Sequence, residues 1–133
     1  MRDVVFLFGA GASYGAGDIV PEPPPLGTQL YGALSHVYPK SWGAVPKEAK
    51  QKFEERNFED GMEIIYEKYS TAIPQLMREM AVYLIQFRPS SGRSLYSRLA
   101  RTVQKNSLLP QVLFSTINYD CVLEFSLLGL GRP

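Results

Sequence analysis

Apolar positions along the chain follow two periods. Val4-Val5-Phe6-Leu7-Phe8 and Val112-Leu113-Phe114 are short unbroken runs closed by small or polar residues, which predicts two buried strands. Between them the apolar residues recur every three or four positions, the period of helices with one inward face. That spacing predicts a helix over Leu26 to His36, with Leu30, Ala33, Leu34 and Val37 inward. Pro46 opens a charged helix through Glu55, with Glu48 and Lys52 spaced for an ion pair. A further helix over Phe58 to Tyr69 would bury Phe58, Met62, Ile65, Tyr66 and Tyr69, although Gly61 inside it is a poor helix former. Ser70 or Thr71 caps the next, whose stripe is Ile73, Leu76, Met77, Met80, Leu84 and Phe87; Pro74 is tolerable in its first turn. After a break at Pro89-Ser90-Ser91-Gly92, Arg93 to Lys105 reads as a helix with Leu95, Leu99 and Val103 on one side. The second strand then runs into a leucine-rich helix from Cys121 to Leu128.

A strand passing into a glycine turn, a helical middle and a second such strand define an α/β chain. The fold expected is a Rossmann-like open parallel sheet with a helical insertion at about 46–88. Two strands make a poor parallel core, so residues 1–133 read as the N-terminal portion of such a domain, truncated before its later strands. Composition narrows the classes. The chain is 45% hydrophobic and 20% charged, with a formal charge of +1, which gives no field for nucleic acid or an anionic membrane. No run reaches the length of a membrane span, and the expected location is cytoplasmic. The single cysteine, Cys121, excludes an intrachain disulfide and a cysteine-rich zinc site within these residues, and no metal is expected. It reads as a packed cysteine opening a helix. His36, the one histidine, falls at a helix C-terminus and reads as a cap or a solvent-exposed side chain rather than a catalytic one.

Two stretches carry candidate chemistry. Gly9-Ala10-Gly11-Ala12-Ser13 follows the first strand directly; its glycines permit close approach to a ligand, and the first amides of the helix it opens have no internal partners. Both a nucleotide-type anion site and a plain tight turn are compatible with it. The dehydrogenase fingerprint is not met, because the third glycine, Gly15, comes one residue late, and no Lys follows the glycines as in a Walker A loop. The second stretch, Ser115-Thr116-Ile117-Asn118-Tyr119-Asp120, ends the other strand. In an open parallel sheet the carboxyl ends of strands share one crevice, so Ser115, Thr116, Asn118 and Asp120 are expected beside the glycine turn. Helix capping would account equally well for Thr116, Asn118 and Asp120. Arg93, Arg98, Arg101 and Lys105 form a cationic helix face, read as solvated.

Together the two stretches resemble the SIR2-like family, the NAD-consuming fold of sirtuin deacylases and of bacterial NAD-hydrolysing domains in anti-phage defence. The first motif is Phe6-Leu7-Phe8-Gly9-Ala10-Gly11-Ala12-Ser13 with Gly17 and the prolines after it; the second is Thr116-Ile117-Asn118-Tyr119-Asp120 followed by Cys121, Val122, Leu123 and Glu124. Tyr119 leans toward the NAD-hydrolysing branch, since sirtuins proper carry Ile there. The resemblance implies that Gly9, Ala10, Gly11, Ala12, Ser13, Gly17 and Thr116 line NAD, here the substrate. It implies that Asn118 contacts the nicotinamide-side ribose and positions water, with Asp120 holding the network. The function implied is hydrolysis of NAD to ADP-ribose and nicotinamide; a protein deacylase and a catalytically inactive, truncated nucleotide-binding or assembly module are the alternatives. The family's histidine lies beyond the second motif, and His36 precedes it, so the 133-residue chain is expected to be silent on its own. Self-association or further domains of a longer protein are the expected partners, with no nucleic acid and no membrane.

Overall fold

A computed structural model describes residues 4–128 and Leu130. It shows a mixed α/β fold with a small parallel sheet flanked by helices, a generic Rossmann-like topology. The chain divides into two compact units: one of residues 25–83, the other of the described residues within 1–24 and 84–133.

The second of these contains the sheet. Strand β1 (Val4–Phe8) pairs in parallel with β4 (Val112–Thr116), in a register that sets Val4 opposite Val112 and Phe8 opposite Thr116. Side chains of adjacent residues leave opposite faces. On one face Phe6 stacks on Phe114 at 5.8 Å and Val112 is buried. Val5, Leu7 and Leu113 belong to the other face and remain exposed, Leu7 at 63%. A parallel sheet is ordinarily covered on both faces. Helix α1 (Ala10–Tyr14) follows β1, α6 (Leu95–Lys105) precedes β4, and α7 (Val122–Leu128) follows it.

Two short strands were not legible in the hydrophobic pattern. β2 (Ile19–Val20) pairs antiparallel with β3 (Arg88–Pro89), where a glycine-proline loop and a helix break were expected. Two-residue strands carry no period to read. Their join is secured by Gly17 and Asp18, both in the left-handed region with φ +66° and +58°. The Asp18 carbonyl accepts from the Ser90 amide at 2.8 Å, and its carboxylate accepts from the Ser91 and Arg93 amides at 3.0 and 2.9 Å. Those bonds, the Arg93 amide foremost, hold the Asp18 carboxyl below its ordinary range.

The buried face of α6 also differs from expectation. Leu95 is 55% exposed, and the inward side chains are Tyr96, Ala100 and Val103. Ser94, whose hydroxyl accepts from the Ser97 amide at 3.2 Å, caps the helix, which leaves Arg93 outside it. The final helix likewise starts at Val122 rather than Cys121.

The other unit is helical: α2 (Gly27–Val37), α3 (Lys47–Glu55), α4 (Phe58–Lys68) and most of α5 (Ile73–Leu84). Its centre is aromatic. Phe53 stacks on Tyr31 at 4.4 Å and lies 5.4 Å from Phe58, and Trp42, fully buried in a 3₁₀ turn, stacks on Phe58 at 5.8 Å. Gly61 has a packing role. A Cβ there would lie 2.2 Å from Cδ1 of Phe53, so the ring rests on the backbone of α4 where only glycine leaves room. Val37 and Tyr66, expected inward, are exposed at 49% and 52%. Glu48 does not pair with Lys52: it accepts from Lys68 Nζ at 2.6 Å and from the Tyr69 hydroxyl at 2.7 Å. The contact with α4 ties two helices together, which a bond within α3 would not do. No helix among the described residues is long and apolar enough to cross a membrane.

Candidate functional site

Parallel pairing brings the carboxyl ends of β1 and β4 side by side. The Ile117 amide donates to the Phe8 carbonyl at 3.1 Å, extending the ladder one step past the strands. From this shared end the chain enters α1 through Gly9 on one side and the 117–121 turn on the other. Within that turn the Asn118 amide donates to Thr116 Oγ1 at 3.0 Å, and the Val122 amide donates to Asp120 Oδ1 at 3.0 Å. Thr116 and Asp120 therefore do serve as local caps. They also hold Asn118 and the Asp120 carboxylate on the same side as α1.

The side chains meet at Ser13, which is fully buried. Its hydroxyl donates to Asp120 Oδ1 at 3.0 Å, accepts from Asn118 Nδ2 at 2.9 Å, and lies 3.1 Å from the Tyr96 hydroxyl. A serine hydroxyl has one proton. With that proton on Asp120, Tyr96 must be the donor to Ser13, and Asn118 must present its amide nitrogen. Every direction in the cluster is thereby fixed. The arrangement leaves Asn118 Oδ1 buried without a partner among the described residues. Such an acceptor costs about 1–3 kcal/mol, and a hydroxyl or water donating to it would relieve the cost.

Tyr96 was not anticipated. It sits on the inward face of α6 with its ring edge against Phe8 at 5.0 Å, and burial is the main reason its hydroxyl pKa is raised. Its position was encoded in the i, i+4, i+7 spacing of Tyr96, Ala100 and Val103, a stripe masked by the more hydrophobic Leu95 and Leu99. Ser115 lies on the other face of β4, opposite Leu7, and does not join the cluster, because neighbouring strand residues alternate.

The glycines have distinct settings. A Cβ at Gly9 or Gly11 would meet nothing within 4 Å, so the protein's own packing does not require glycine there. The Ala12 amide is spent on the Gly9 carbonyl at 2.9 Å. Gly17 supplies the left-handed turn into Asp18. Cys121 is half-buried and free, and burial followed by the charges of Glu124 and Asp120 pushes its thiol pKa up, the opposite of an activated nucleophile. His36 is exposed in the last turn of α2. No group of three or more His, Cys, Asp or Glu side chains among the described residues could hold a metal ion.

In chemical terms the cluster can bind and orient. Asn118 can accept a hydrogen bond but cannot take up a proton, and the Ser13 hydroxyl is saturated. None of the protein-family models, curated proteins or solved structures compared with the chain matches it.

Proposed function

We propose that this chain is the NAD-binding part of a SIR2-like domain whose intact form hydrolyses NAD, in the anti-phage branch of that family. The observation that carries the reading is the single hydroxyl of Ser13 joining the two motifs: it bonds Asn118 and Asp120 from 105 and 107 residues away. Open space over Gly9 and Gly11 suits a phosphate-bearing ligand, which a Cβ at either would obstruct. The unpartnered Asn118 Oδ1 suits a ribose hydroxyl.

Bound NAD would supply a scissile N-glycosidic bond. The Gly9–Ser13 turn and Gly17 loop would hold its phosphates, Thr116 would set the turn, Asn118 would orient the sugar, and Asp120 with Tyr96 would fix the Ser13 hub. The cluster has no imidazole, so the chain is expected to bind NAD without turning it over. The bare apolar face of Val5, Leu7 and Leu113 supports a need for cover, from a second copy or from further strands and helices of a longer protein.

Calorimetric titration with NAD tests the reading. Asn118→Ala and Gly11→Val should each weaken binding by about tenfold or more, with circular dichroism unchanged. Unaltered affinity in both variants, or no binding by the unsubstituted chain, rejects it.

A further inference from the structure

A cleft of about 330 Å³ in the sheet-bearing unit has Arg88, Gly92, Ser97, Arg101, Phe125 and Leu130 in its lining, and none of Ser13, Asn118 or Asp120. Its two guanidinium groups are set by the fold. Arg101 donates through a terminal nitrogen to the Gly92 carbonyl, and Arg88 lies over the Phe125 ring at 5.0 Å from its centre while its Nε donates to the Ile85 carbonyl at 3.4 Å. Neither forms an ion pair with a carboxylate among the described residues. Ser97 adds a third donor. It is 6% exposed and its oxygen accepts from Ser94 Oγ at 3.0 Å, which leaves its own proton with no acceptor among the described residues.

Two cations without a carboxylate partner among the described residues and a buried hydroxyl proton at one cleft form a donor set with no anionic counterpart. We propose that this cleft binds the phosphate group of a small phosphomonoester, with the organic part against Leu130 and Phe125. A dianion matches the two guanidinium charges, and their fork geometry suits phosphate oxygens. The volume exceeds what a phosphate alone would fill and falls in the range of small-ligand sites. This inference is independent of NAD binding.

The test uses phenyl phosphate, inorganic phosphate and benzoate as probes on the 133-residue chain, read by the Nε–Hε resonances of its arginines. Phenyl phosphate should saturate the Arg88 and Arg101 signals below about 10 mM, more tightly than inorganic phosphate. Arg88→Gln and Arg101→Gln, both at exposed positions, should each weaken it by about tenfold or more, and Ser97→Ala by about threefold. Gly11→Val should leave it unchanged, which separates this cleft from the glycine turn. Absence of saturation, equal binding by the double arginine variant, or benzoate binding as well as phenyl phosphate would each overturn the proposal.

Discussion

Replacing Ser13 by Ala tests the cluster whatever ligand it serves. The hydroxyl makes three hydrogen bonds inside the fold, and its loss affects the partners unequally. Asp120 keeps the Val122 amide, so its loss is partial. Tyr96, 4% exposed, loses the acceptor of its hydroxyl proton, and the amide of half-buried Asn118 loses the Ser13 oxygen. An orphaned buried donor costs about 1–3 kcal/mol and a partly hydrated one less, so the expected destabilisation is about 2–4 kcal/mol. That is a large share of the roughly 5–15 kcal/mol that holds a domain together. Urea unfolding followed by far-ultraviolet circular dichroism measures it; the single Trp42 lies in the other unit and is not the reporter of choice. Tyr96→Phe alone should cost about 1 kcal/mol, because it removes the donor but leaves Ser13 bonded to Asn118 and Asp120. In the double variant the Tyr96 proton is no longer stranded, so the two effects should sum to less than additive by about 1 kcal/mol or more. A Ser13→Ala loss below about 0.5 kcal/mol, or strict additivity with Tyr96→Phe, would refute the proton directions assigned here.

Two further perturbations address the scaffold. Gly61→Ala should destabilise the helical unit by about 1–2 kcal/mol: crowding of Phe53, at 2.2 Å from the new Cβ, outweighs the roughly 1 kcal/mol that alanine ordinarily gains over glycine in a helix. Trp42 fluorescence reads it directly, and a stabilised variant would mean that the ring does not rest on Gly61. Asp18→Asn should lower stability at neutral pH, and the gap from the unsubstituted chain should close as pH falls below about 3.8, since a carboxyl depressed in the folded state gives stability that protonation removes. A gap independent of pH in chemical unfolding would show that the Asp18 charge is not what holds the 90–93 segment.

Much of the architecture was legible because it rests on long periodic stretches. The run at Val4–Phe8 and the one beginning at Val112 were readable as strands, the second extending in the structure to Thr116, and the major helices fell within a few residues of their spacing. What escaped was decided by single contacts. Gly61 looked like a weak point in a helix and is a seat for the Phe53 ring, a relation between two helices that no local window contains. Glu48 looked paired within its own helix and instead bonds Lys68 and Tyr69 on the next. At the site, chain order and strand direction were enough to bring Ser13, Asn118 and Asp120 together in expectation. Tyr96 was missed because leucines one position away offered a stronger hydrophobic stripe, and only the position of Ser13 makes a tyrosine the better inward residue.

The cluster also bears on the kind of chemistry to be expected. An active centre built to move protons needs a group that can change its protonation state with a free path to substrate. Here the Asp120 oxygen nearest the centre already accepts two hydrogen bonds, Ser13 has spent its proton, and the raised pKa of Tyr96 keeps that hydroxyl a donor. Each feature favours a fixed arrangement over a reactive one. The buried acceptor of the cluster that has no donor among the described residues is Asn118 Oδ1, beside a turn with open space over Gly9 and Gly11. Recognition of a ligand hydroxyl beside the glycine turn needs no more, whereas the Asp120 carboxylate, the acid of the cluster, is already engaged through Oδ1 by the Ser13 hydroxyl and the Val122 amide. On the proposed reading, binding without turnover is the outcome expected of the 133-residue chain, and measurable NAD consumption by it would refute that expectation.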